Sequence, residues 1–131
     1  MSLNRIIGGT ESILVVEDDR LVREHLVARL EEMGYRVTAA ETGPQALNAL
    51  KQTPDIDLLL TDMVLPGGMK GRVLADTARG VLRDLKVLFT SGYSENAIVH
   101  PGRLDPGVEL LGKPYRRDQL AAKVRKVLDK V

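Results

Sequence analysis

The chain has 131 residues, 44% of them apolar, with 19 basic and 18 acidic side chains for a formal charge of +1, and no cysteine. This length and apolar content suit one domain around a single buried core, with no second module. The charge balance excludes a global attraction to nucleic acid or membrane. The absence of thiols excludes a disulfide framework and thiolate metal sites, as in cytosolic proteins.

No apolar run approaches the ~18 residues of a membrane span, and Met1-Ser2-Leu3-Asn4-Arg5 lacks the apolar core of a signal peptide. A soluble, cytoplasmic protein without membrane contact is expected. Met1-Ser2-Leu3 is also compatible with a cloning remnant ahead of a segment cut from a longer chain. Residues 1–11 contain Gly8-Gly9-Thr10 and no periodicity, so they are expected to be a linker or tail, with the domain spanning 12–131.

In chain order, near-continuous apolar runs at 13–16, 58–60, 87–89 and 108–111 predict buried parallel strands, and the more polar 35–39 predicts an edge strand. Helical spacing lies between them. Val22, Leu26, Leu30 and Met33 form one stripe, which Gly34 closes. Gly43-Pro44 opens a second helix with Ala46, Leu47 and Leu50. Val73, Leu74, Thr77, Ala78 and Val81 mark a third, and Leu120, Val124, Val127, Leu128 and Val131 the last. Between the fourth and fifth strands, Pro101-Gly102 and Pro106-Gly107 limit the helical segment at 94–99 to a turn or two. The expectation is an α/β fold, a doubly wound parallel sheet of (βα)5 order with a short fourth helix.

Four polar sites stand where apolar runs stop: Glu17-Asp18-Asp19, Asp62, Thr90-Ser91 and Lys113-Pro114. In an open parallel sheet all strands end at the same edge, so these groups converge. Consecutive acids repel one another, a cost that a divalent cation or a Lys removes; one of them, Asp18 or Asp19, also suits an N-cap. Oxygen donors fit Mg²⁺. Asp62, ending the central strand, is the candidate nucleophile toward phosphorus, although such an Asp also suits a turn of its own. Thr90 is placed to hydrogen-bond a phosphoryl oxygen, and Lys113, before a proline that favours a cis peptide, to pair with its charge. His25 and His100 have no partner at metal-ligand spacing. The basic last helix, with Arg116, Arg117, Lys123, Arg125, Lys126 and Lys130, reads as a solvated face or a docking surface.

Over residues 11–130 the chain closely resembles the receiver domain of two-component signalling. The resemblance rests on Ile13 to Asp19, Leu60-Thr61-Asp62 through Leu65-Pro66-Gly67, Phe89-Thr90-Ser91-Gly92-Tyr93 and Gly112-Lys113-Pro114-Tyr115. It implies a flavodoxin-like five-stranded sheet in the order 2-1-3-4-5 and transfer of a phosphoryl group to Asp62 from a phosphohistidine on a histidine kinase or histidine phosphotransfer protein. Asp18, Asp62 and the Val64 carbonyl would hold Mg²⁺, with Glu17 acting through a bound water. It further implies self-catalysed phosphorylation and dephosphorylation, with output by contact with another protein through the fourth helix, fifth strand and fifth helix. Three departures stand out. Leu110 occupies the place of a common aromatic switch residue, the loop through Gly67-Gly68-Met69-Lys70-Gly71 has an extra residue, and the fourth helix is cut short. With Gly8-Gly9-Thr10-Glu11-Ser12 leading into the first strand, these are similar to C-terminal receivers of hybrid sensor histidine kinases, whose parent chains are kinases; a single-domain response regulator is the other context. The rival readings are a pseudo-receiver that binds partners without phosphorylation and an aspartyl-phosphate phosphatase. The second places its nucleophile on the first strand, unlike Asp62.

Overall fold

The computed structural model describes residues 8–65, 70–91 and 109–130. Along these, β1 (Ser12–Val16), α1 (Arg20–Glu32), β2 (Arg36–Ala40), α2 (Gly43–Gln52), β3 (Leu58–Asp62), α3 (Gly71–Val81), β4 (Lys86–Ser91), β5 (Glu109–Gly112) and α4 (Arg117–Leu128) follow one another. The strands form one sheet in the order β2-β1-β3-β4-β5, and every pairing is parallel. This is the expected flavodoxin-like order. The helical segment expected at 94–99, the extra-residue loop at 66–69 and Val131 lie outside the described residues. Among the described residues no helix is long and apolar enough to cross a membrane.

Successive strand residues point to opposite faces, and the core divides accordingly. Ile13, Val15, Leu58, Leu60 and Leu88 meet Leu26 and Leu30 of α1 and Leu120, Val124 and Val127 of α4. Leu14, Val16, Leu59, Val87 and Phe89 meet Ala46 and Leu50 of α2 and Leu74, Ala75 and Ala78 of α3. Leu110, in register with Phe89, packs partly buried on this second cluster.

Helix ends follow local chemistry. The Asp19 carboxylate accepts from Val22 N at 3.1 Å and caps α1, and the Thr42 hydroxyl accepts from Gln45 N at 3.3 Å and caps α2. Gly34, at φ +100, turns the chain after α1 in a conformation that favours glycine. Two expected stripes are corrected. Val22 is 39% exposed, so of the first stripe Leu26 and Leu30, with Met33 at the helix end, reach the core and Val22 does not. On α3, Val73 and Val81 are exposed, and Gly71, Leu74, Ala75 and Ala78 are buried. The small side chains let α3 lie close to the sheet, and the β-branched residues turn outward.

Residues 8–11 are laid against the domain. Gly9 N donates to Met33 O at 3.2 Å, and a Cβ on Gly34 would stand 2.7 Å from Gly9 O. The Arg125 guanidinium donates to both Glu11 carboxylate oxygens (2.6 and 3.1 Å) and to Gly8 O (3.2 Å). Arg125 holds the Glu11 carboxyl below its ordinary value, against the opposing effect of burial. A depressed carboxylate stabilises the fold fully above its unfolded value and loses that contribution as pH falls through the folded value. Glu11→Gln is therefore expected to destabilise by about 0.5–1.5 kcal/mol at neutral pH. In urea melts the difference from wild type should shrink as the pH falls through the ordinary glutamate range and below it.

The two glycines of α3 give a contrasting pair. A Cβ on Gly71 would stand 2.4 Å from Asp62 O and 2.9 Å from Met63 Cα, whereas one on Gly80 meets nothing within 4 Å. Gly80→Ala is expected to raise stability by about 0.5–1 kcal/mol through helix propensity. Gly71→Ala should lower it by about 1–3 kcal/mol through overpacking, as thermal unfolding of the two variants will show.

Candidate functional site

At the carboxyl edge of the sheet, β1 delivers Glu17, whose N–H donates to Ala40 O at 3.1 Å across to β2. β3 delivers Asp62. Both are buried, at 3% and 8% exposure, and Asp18 is exposed. One carboxylate oxygen from each of Glu17, Asp18 and Asp62 lies within 4.8 Å of the others. Asp19, as the α1 cap, takes no part in this cluster, and its N–H donates to Glu17 Oε2 at 3.0 Å. The alternative left open by three consecutive acids is thus resolved: Asp19 caps the helix and Asp18 faces the site.

Lys113 follows β5. Its N–H donates to Ser91 O at 2.7 Å, and the Lys113-Pro114 peptide is cis. The ammonium reaches Asp62 Oδ2 at 3.1 Å and Glu17 Oε1 at 3.2 Å, bridging β3 and β1. Burial works against the charged ammonium, but the facing Asp62 and Glu17 outweigh it and leave Lys113 above its ordinary value. At Glu17 burial is the largest influence and pushes the carboxyl up. The Asp19 N–H and Lys113 oppose that push, and the Asp62 charge adds to it.

Thr90, the next-to-last residue of β4, is in register with Asp62 and 3% exposed, and its carbonyl accepts from Met63 N at 3.0 Å. Val64 stands just past Asp62, with its N–H at 3.4 Å from Asp62 Oδ1. Gly71 N donates to Met63 O at 3.0 Å, so the start of α3 is packed directly on the turn that carries Asp62. The predicted residues Glu17, Asp18, Asp62, Val64, Thr90 and Lys113 are therefore brought to one edge. His25 lies apart from them, its Nε2 accepting from Arg29 Nε at 3.3 Å. His100 is outside the described residues.

The donor set is chemically suited to a hard cation. Oxygens around an octahedral Mg²⁺ are about 3–4.2 Å apart, so acids within 4.8 Å need only small side-chain movements to share one ion.

Two further features were not singled out in the sequence. Arg23 of α1 reaches back under the acidic loop. A groove of about 500 Å³ opens beside Lys113, between α1 and the start of α4, lined by Leu21, Val22, Tyr115 and Leu120 among others. Leu21 is 76% exposed. In sequence, the signal for the groove is Leu21-Val22 at the α1 start, where a strictly solvated face would be polar.

Residues 13–125 match the family described as the response regulator receiver domain. The sensor kinase CckA of Brucella abortus (strain 2308) is 34% identical over 125 residues, covering 95% of this chain and 13% of that protein. The response regulator receiver protein CpdR of the same strain is 36% identical over 116 residues, covering 88% of this chain and 95% of CpdR. Thus the chain spans a small part of the first relative and nearly all of the second. A crystal structure of a response regulator receiver protein from Sinorhizobium medicae WSM419 superposes with a TM-score of 0.79 at 26% identity, over 92% of this chain and 95% of that one. Because the match runs from the first strand into the last helix, and the sheet superposes on that of a solved receiver protein, the chain belongs to the response regulator receiver domain family of two-component systems.

Proposed function

We propose that Asp62 accepts a phosphoryl group from a phosphohistidine on a histidine kinase or histidine phosphotransfer protein. The observation that carries this reading is the Lys113 ammonium held at 3.1 Å from Asp62 and 3.2 Å from Glu17, with Thr90 in register beside Asp62. An Asp62 carboxylate oxygen attacks phosphorus, an O–P bond forms, and the N–P bond breaks with its electron pair returning to the imidazole nitrogen. Lys113 pairs with the charge of the transferring group, and the Thr90 hydroxyl donates to one of its oxygens. Water attack on phosphorus later releases phosphate and restores the Asp62 carboxylate.

Glu17, Asp18, Asp62 and the Val64 carbonyl are the groups that would hold Mg²⁺. When bound, the ion supplies charge stabilisation to the transferring phosphoryl group. In its absence Lys113 offsets part of the acidic charge. A pseudo-receiver role is the weaker reading, since the acids cluster around the ammonium and Thr90 stands in register beside Asp62.

The partner is a protein that docks on the groove beside Lys113, where Leu21 and Val22 offer apolar surface next to the acceptor. Output is by protein contact, in the cytoplasm. The functional unit runs from Ser12 through α4, with Gly8 to Glu11 fastened to it by Arg125. It acts as a segment of a hybrid sensor histidine kinase or as a single-domain response regulator, and a sensor kinase and a response regulator receiver protein are both similar to it.

Incubation with a small acyl or amido phosphate donor is expected to add one phosphoryl group by intact mass, only with Mg²⁺, and not in Asp62→Asn. Uptake by the Asn variant would refute the assignment. Lys113→Ala removes the cation that competes for Glu17 and Asp62. It should bind Mg²⁺ at least as tightly as wild type by calorimetry while accepting phosphate about 10²-fold more slowly.

A further inference from the structure

Arg23 sits on the first turn of α1, between residues that face water. Arg20 has 78% of its side chain exposed, but Arg23 only 15%. Its guanidinium turns back and donates to Glu17 O at 2.9 Å and Asp18 O at 3.4 Å, and it lies 3.8 Å from Glu41 Oε2 in the β2–α2 turn. Glu17 and Asp18 are the two residues of the acidic loop whose carboxylates converge with Asp62. One cation therefore holds the carbonyls of both.

We infer that Arg23 is a positioning residue for the cation site: by fixing the Glu17 and Asp18 backbone from behind, it sets the separation of the carboxylates in front. The inference rests on the reading of those acids as Mg²⁺-holding groups. Geometry and charge act in opposite directions here, and that makes the role testable. As a nearby positive charge alone, Arg23 would repel Mg²⁺, and its neutralisation would tighten binding. As a positioning group, its reach matters: all three contacts are made by Nη1, at the end of a planar side chain one bond longer than that of Lys, so Lys does not replace it.

The experiment is calorimetric Mg²⁺ titration of wild type, Arg23→Gln, Arg23→Lys and the control Arg20→Gln. Amide hydrogen exchange on the metal-free proteins accompanies it. Both Arg23 variants should bind Mg²⁺ about tenfold more weakly, and Arg20→Gln should bind as wild type. In both Arg23 variants the amides of Glu17 and Asp19, which donate to Ala40 O and to the Glu17 carboxylate, should exchange faster without metal. Tighter binding by Arg23→Gln, or unchanged binding by Arg23→Lys, would overturn the inference. If Arg23→Gln does not fold, Arg23→Lys decides alone. A wild type that binds no Mg²⁺ would contradict the metal site itself, whereas binding by wild type and Arg23 variants alike would contradict only the role of Arg23.

Discussion

The Lys113 ammonium, within 3.2 Å of carboxylates from two different strands, is the interaction on which the carboxyl edge of this domain depends. Two carboxylates less than 5 Å apart repel by about 3 kcal/mol at an effective dielectric of about 20, and here Glu17 and Asp62 are both nearly buried. Parallel topology forces their meeting, because β1 and β3 are neighbours that end at the same level. A cation placed between them offsets that repulsion. Lys113 fills this role at the cost of its own desolvation, and the position of Asp62 and Glu17 around it offsets that cost.

Behind this charged front stands a rigid support. The apolar residues of the central strands divide between two core clusters on opposite faces of the sheet, so each of these strands is packed from both sides. The acidic loop is held at its ends by the Asp19 cap and by Arg23, and the Asp62 turn is pressed by Gly71 at the start of α3. A site assembled in this way has its acidic loop and its Asp62 turn fixed by backbone contacts, with the Lys113 ammonium paired to Asp62 and Glu17 and with Thr90 in register beside Asp62. Phosphoryl charge at Asp62 would draw on these two groups, and through them on β4 and β5.

Much of this was legible in the sequence because buried parallel strands are nearly continuous apolar runs, and a polar residue at the end of each run falls on a predictable edge. That logic places Asp62, Thr90 and Lys113 without any structure. It fails where neighbours in sequence compete for one role. Glu17, Asp18 and Asp19 are equivalent as a string, and only the entry angle of α1 makes Asp19 the cap. It also fails where packing distance overrides size: on α3 the larger Val73 and Val81 face out because Gly71, Ala75 and Ala78 permit a close approach. Arg23 was hidden for a third reason. A charged residue on a helix reads as solvated, and only its fold-back onto the preceding carbonyls reveals a structural task. Gly8 to Glu11 read as part of a linker or tail likewise, since their anchor Arg125 lies more than a hundred residues downstream.

The central claim is that the carboxylate bridged by Lys113 is the group that becomes phosphorylated, and its most direct test is chemical mapping of the acceptor. After reaction with a small phosphate donor and Mg²⁺, borohydride reduction of the acyl phosphate followed by peptide mass spectrometry should convert a single aspartate to homoserine, and that aspartate should be Asp62. Conversion at Asp18 or Asp19, or a stable phosphate on a hydroxyl such as Thr90, would contradict the account.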